Sequence, residues 1–186
     1  MRFHIPTRIF FGSGYISRLK EIVDESFKGA SLFLVTDTGI IEAGIVHKVL
    51  SQFQEIQLFD EVEQNPKQTT INKAGEIVRR NKPDLIIGLG GGSSIDAAKA
   101  IALLATNPGA IEDYEGKGKY KSPPLPVLAI PTTCGTGSEV TWVSVVTHTD
   151  RMFKMSIKGP HLFPSVAVID PDLLISLPPR LVASTG

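Results

Sequence analysis

Two stretches hold most of the residues whose types and spacing could serve chemistry: Gly88-Leu89-Gly90-Gly91-Gly92-Ser93-Ser94 and Pro131-Thr132-Thr133-Cys134-Gly135-Thr136-Gly137-Ser138. Consecutive glycines let a backbone approach a bulky anion without Cβ clashes. In the second stretch Thr132, Thr133, Thr136 and Ser138 alternate with Gly135 and Gly137, and four hydroxyls on a flexible turn suit a pyrophosphate. Taken singly, each stretch also reads as ordinary turn chemistry, a glycine turn before a capped helix or a loop of small polar residues. Because each follows a short apolar run, the two together read as halves of one dinucleotide phosphate cradle.

The elements that must position these residues follow from hydrophobic pattern. Pro83 to Leu89 reads as a buried strand, and Ser94 to Ala105 as a helix whose first-turn amides and dipole favour negative charge; Ser93 and Ser94 add hydroxyl donors or a cap. Val127 to Ile130 is a second strand, ended by Pro131. Ligands of open α/β sheets sit at such carboxyl ends. Upstream, Arg8 to Phe11 predicts a strand, and Tyr15 to Val23 a helix with Ile16, Leu19, Ile22 and Val23 on one face. A core strand at Ser31–Thr36, a helix at Ile45–Phe53 and a strand at Ile56–Phe59 come next, then a helix capped by Thr69 or Thr70 and running to about Arg80. This alternation predicts a Rossmann-like α/β fold, a parallel sheet with helices on both faces, in a single domain over residues 1–186. Trp142–Thr147 and Phe153–Ile157 add a small β-hairpin excursion, and Ser165–Ile169 a last buried strand. Pro108 to Pro126 reads as a surface loop, its Glu112, Asp113 and Glu115 as a solvated turn.

Asp37 follows the first core strand and admits two roles. It can accept hydrogen bonds from an adenosine ribose and repel the extra phosphate of NADP, which favours NAD; equally, it can cap a helix or form an Asx-turn before Thr38-Gly39. Cys134 is the only cysteine, so no internal disulfide forms, and no histidine stands beside it in sequence to make it a nucleophile. His4, His47, His148 and His161 are too scattered to predict a metal site. Lys plus Arg (19) equal Asp plus Glu (19), which argues against nucleic acid and anionic membranes as partners. The short apolar runs and the N-terminal Met1–Pro6, which lacks a signal-peptide core, lead to the expectation of a cytoplasmic protein.

GGGSSIDAAKAIA, PTTCGTGSEVT and KMSIKGPHLFPSVAVIDPDLLISLPP, in this order and spacing, resemble the iron-containing (type III) alcohol dehydrogenases. The resemblance covers the chain from the first strand to Gly186. It implies an N-terminal dinucleotide domain that precedes a helical domain binding iron or zinc, and homodimers formed through the N-terminal region, for which Arg8–Phe11 offers an edge. It implies that Asp37 contacts the adenosine ribose and that Asn65 lies near the adenosine half. Gly91, Gly92 and Ser93 would hold the pyrophosphate, with Thr132, Thr133, Thr136 and Ser138 lining the other side, Val145 near the nicotinamide and Lys154 on its ribose. The activity implied is hydride transfer between NAD(H) and a small-molecule alcohol, aldehyde or ketone. In the family, the segment resembling Leu177–Gly186 leads to the helix bearing the first metal ligands, so no metal ligand is assigned here and little or no activity is expected of these residues alone. A noncatalytic dinucleotide-binding or dimerisation module, and a glycerol-type relative, are the alternatives.

Overall fold

The apolar runs become strands and the amphipathic stretches become helices. The computed structural model describes residues 5–175; the first four residues, His4 among them, and the Leu177–Gly186 segment lie outside the described residues. Along the chain come β1 (Arg8–Phe11), α1 (Leu19–Ser26), β2 (Leu32–Val35), α2 (Thr38–Glu42), α3 (Ile45–Leu50), β3 (Gln57–Phe59), α4 (Gln68–Asn81), β4 (Leu85–Gly90), α5 (Gly92–Thr106), β5 (Gly116–Lys117), β6 (Val127–Pro131), β7 (Val143–His148), β8 (Phe153–Lys158) and β9 (Val166–Ile169).

Six strands form one sheet in the order β1-β9-β6-β4-β2-β3, and every neighbouring pair is parallel. The runs Leu32–Val35, Leu85–Gly90 and Val127–Pro131 are buried along their whole length. They lack polar alternation because helices cover both faces of the sheet. On one face Phe33, Val35 and Ile86 pack with α4 and α5, through Ile71, Val78, Ile101 and Leu103; on the other, Leu34, Ile87 and Leu128 pack with α1 and α3, through Leu19, Val23 and Val49. Each fully buried Leu or Ile contributes about 1.5–3 kcal/mol relative to exposure. Gly88 lets α5 seat directly on β4, because a Cβ there would lie 2.8 Å from the Ala98 Cβ.

Several sequence expectations are corrected. The Tyr15–Val23 helix starts as a 3-10 turn at Tyr15–Arg18, and the Ile45–Phe53 helix ends at Leu50. Neither Thr69 nor Thr70 caps α4, which begins at Gln68 after an uncapped Lys67. The Thr70 hydroxyl donates instead to Glu63 at 2.9 Å, and Gln68 is buried because its amide group pairs with Thr149 in both directions. The Pro108–Pro126 stretch is more than a surface loop: Ile111 is fully buried in a 3-10 turn, and β5 pairs with β8. The hairpin of β7 and β8 therefore grows into a three-stranded sheet, β5-β8-β7. Glu112 accepts from Asn72 and Glu115 faces Arg151, so the acidic cluster is tied to the fold. No helix of the described residues is long and apolar enough to cross a membrane.

Candidate functional site

β2 and β4 are sheet neighbours, paired from Leu32↔Leu85 to Val35↔Gly88. The chain leaves β2 toward β3 on one side and, having returned, leaves β4 toward β6 on the other. That reversal opens a crevice at the carboxyl ends of the two strands. Asp37 follows β2, the glycine triplet follows β4, and the Thr132–Ser138 loop follows β6.

Gly90 adopts φ 142°, a backbone that L side chains rarely take, and a Cβ there would sit 2.5 Å from Ser94 Oγ and 3.0 Å from Asp37 Oδ2. Gly91 is the N-cap of α5 and no side chain among the described residues caps the helix, which leaves first-turn amides for an anion. The two glycine-rich stretches lie against each other. A Cβ on Gly91 would come 3.3 Å from Thr133 Oγ1, and one on Gly92 would come 3.0 Å from Thr136 Cγ2 and 3.2 Å from Ser138 Oγ.

Asp37 takes the capping role: Oδ1 accepts from the Ile40 amide at 3.2 Å while Oδ2 accepts from the Ser94 hydroxyl at 2.8 Å. Half-buried, it keeps its carboxylate at the crevice beside Gly90. Asn65 holds a left-handed φ of 58°, and its amide donates to Ser93 Oγ at 3.2 Å. Thr132 departs from the expectation that it lines the crevice. It is fully buried, its amide N–H donates to the Gly90 carbonyl at 2.9 Å, and its hydroxyl has no hydrogen-bond partner among the described residues. Cys134 lies half-buried in the same loop. Val145 is on β7, its amide donating to Asp96 Oδ2 at 3.1 Å; exposed Lys154 lies opposite Thr147 on β8. The fold thus brings Asp37, Asn65, Gly91, Gly92, Ser93, Thr133, Thr136 and Ser138 together around the start of α5, with Val145 and Lys154 on the hairpin beside them.

The sequence expectation omitted two residues, Asp96 and Lys99, although an acid and a base three positions apart in the otherwise apolar Ile95–Leu104 run were a legible signal. Burial pushes the Asp96 carboxyl up from the usual carboxylate range, against the pull of Lys99, the Val145 amide and the Ser138 hydroxyl. Burial pushes the Lys99 ammonium down, opposed by Asp96 and by Glu139. The first-turn amides of α5, with no side-chain cap among the described residues and facing the Thr133–Ser138 loop, fit a crevice that an oxygen-rich ligand completes. Iron fits the described residues poorly, since no three His, Cys, Asp or Glu side chains among them stand close enough to hold an ion.

This fold and crevice place the molecule in the Rossmann-like α/β class, with two glycine-rich loops facing each other at its switch point. The chain belongs to the iron-containing alcohol dehydrogenase family, whose model matches residues 6–171. It is 42% identical to alcohol dehydrogenase 4 of Schizosaccharomyces pombe, over 99% of this chain and 44% of that protein. It is 39% identical to choline dehydrogenase of Bacillus subtilis, over 99% of this chain and 47% of that one. Among solved structures, sulfoacetaldehyde reductase from Bifidobacterium kashiwanohense in complex with NAD+ superposes with a TM-score of 0.92 at 35% identity, covering 99% of this chain and 50% of that chain. The chain spans about half the length of the curated relatives it matches.

Proposed function

We propose that this chain holds the nicotinamide cofactor of an NAD-dependent alcohol dehydrogenase that interconverts an alcohol with an aldehyde or ketone. The observation that carries this is the crevice in which the start of α5, without a side-chain cap among the described residues, faces the Thr133–Ser138 loop across two glycines whose Cβ atoms would crowd Thr133, Thr136 and Ser138. Family membership supports it, as does the NAD+ complex of the similar reductase.

On this reading the amides of Gly91, Gly92 and Ser93 bind one side of the pyrophosphate, and the hydroxyls of Thr133, Thr136 and Ser138 face the other. Thr132 supports that loop from beneath. Asp37 accepts from the adenosine ribose, and its negative charge favours NAD over NADP. Asn65 borders the adenosine half, while Val145 and Lys154 meet the nicotinamide end. When bound, the nicotinamide ring supplies the group that accepts or donates the hydride. The chain's own residues bind and orient it. No step is assigned to iron, because the described residues do not fit an ion.

Titrating the chain with NADH and following nicotinamide fluorescence tests the proposal. A saturable change is expected; a linear, unsaturable response would overturn it. The edge strand β1, with Phe11 69% exposed and Ile9 46% exposed, supports the further proposal that two copies associate there.

A further inference from the structure

Register divides the side chains of the small sheet between two faces. The pairs Ser144↔Ile157, Val146↔Met155 and His148↔Phe153 belong to the face turned to the core. Side chains alternate along a strand, so Val143↔Lys158, Val145↔Ser156 and Thr147↔Lys154 belong to the other. β5 adds Lys117 to that outer face, in register with Lys158. Lys117 and Lys158, both exposed, thus stand side by side on neighbouring strands, with Val143 next in the same row. Like charges so placed repel and weaken a sheet. Among the described residues neither lysine has a carboxylate partner. The row is nonetheless firmly built. The Gly118 amide donates to the Lys158 carbonyl at 2.8 Å, and the Gly159 amide to the Trp142 carbonyl at 3.2 Å. Lys117 Nζ lies 5.2 Å from the centroid of the Trp142 ring, a cation–π contact. Glu115, just ahead of β5, is turned to Arg151, 3.8 Å away.

The three strands hold Lys117, Lys154 and Lys158 and no acidic residue. Their outer face also carries Val145, which the cofactor assignment above sets at the nicotinamide end together with Lys154. We propose that Lys117 and Lys158 form an anion subsite for the substrate, an alcohol or aldehyde with a carboxylate or sulfonate at the end remote from its reacting carbon. Lys158 lies two residues along β8 from Ser156, the partner of Val145. That step covers about 7 Å, which a short carbon chain spans. Val143 and Val145, both half-buried, give the chain's methylenes an apolar floor. An anion between the two ammonium groups offsets their repulsion and pairs with both. The inference rests on the cofactor assignment and adds to it the substrate's charge.

The test follows backbone amide NMR shifts of the NADH-loaded chain. Three probes are titrated: ω-hydroxybutyrate, ω-hydroxypropanesulfonate and the neutral butanediol. Saturable shifts at Lys117, Val143 and Lys158 are expected from at least one anion, which should bind about fivefold or more tighter than the diol. The tighter anion identifies the headgroup. The double substitution Lys117→Met and Lys158→Met keeps the stems and removes both charges. It should bring the anion down to the level of the diol while NADH affinity stays within about twofold. Anion and diol binding alike, or an anion affinity unchanged in the variant, would overturn the subsite. So would a joint loss of NADH and anion binding, which would mean damage beyond the two lysines. If wild type binds no NADH, the cofactor assignment fails separately. The same titration on the bare chain then decides the anion subsite, and shifts that do not saturate overturn it.

Discussion

Thr132 lies fully buried at the end of β6, its amide bonded to Gly90 and its hydroxyl without a partner among the described residues. An unsatisfied buried hydroxyl costs about 1–3 kcal/mol, and replacing it by an apolar group of the same shape is nearly neutral or stabilising. Thr132→Val should therefore leave the thermal unfolding midpoint unchanged or raised; a clear fall in the midpoint would mean the hydroxyl serves the fold. From sequence, Thr132 was indistinguishable from Thr133 and Thr136, since hydroxyl type and loop position are the same for all three. Only packing separates the buried one from its neighbours. Asp37 shows the same limit: both of its sequence-level roles were open, and the capping contact with Ile40 is the one the backbone fulfils. Its second oxygen, bonded to Ser94, ties the end of β2 to the start of α5, a link across sequence that no local pattern announces.

At the scale of elements, strands were the most legible feature. Among the bonds that fasten the starts of β2 and β4, Asp84 Oδ2 accepts from the Ser31 amide at 2.9 Å and the Ser31 hydroxyl at 2.6 Å. These bonds, the hydroxyl's first, hold the Asp84 carboxyl below the usual carboxylate range. A carboxyl with a lowered folded pKa stabilises fully above its unfolded value and loses that contribution as pH falls through the folded value. Wild type should thus exceed Asp84→Ala in stability at neutral pH, and the gap should close as pH drops below about 3.9. Thermal unfolding of both across that range checks it, and a gap that widens in acid would be the wrong sign. Helix boundaries were less legible than strands. The start of α4 went to Gln68 because the β7–β8 turn supplies Thr149 as a partner, and the fold of residues 108–126 went beyond a loop because β8 offers β5 an edge.

At the scale of the molecule, strand order decides what stands next to what. Among the described residues β1 pairs only with β9, which leaves its outer edge, with Ile9 and Phe11, unpaired by them. If two copies meet there, light scattering should report a dimer for wild type and a monomer for Phe11→Lys, since a buried lysine at the contact lacks a partner; equal masses for the two would exclude β1 as the contact. The fold class, the run of strands and the two halves of the cradle were determined by the sequence itself. They depend on periodicity, on glycine, and on short-range spacing, which are local properties of the chain. What only the tertiary structure decided is the company each residue keeps: Gly92 against Thr136, Ser94 on Asp37, Lys99 on Val143. Those contacts exist because β4 lies between β2 and β6 while the hairpin leans on α5, and pairings between distant segments leave no period in the sequence to be read.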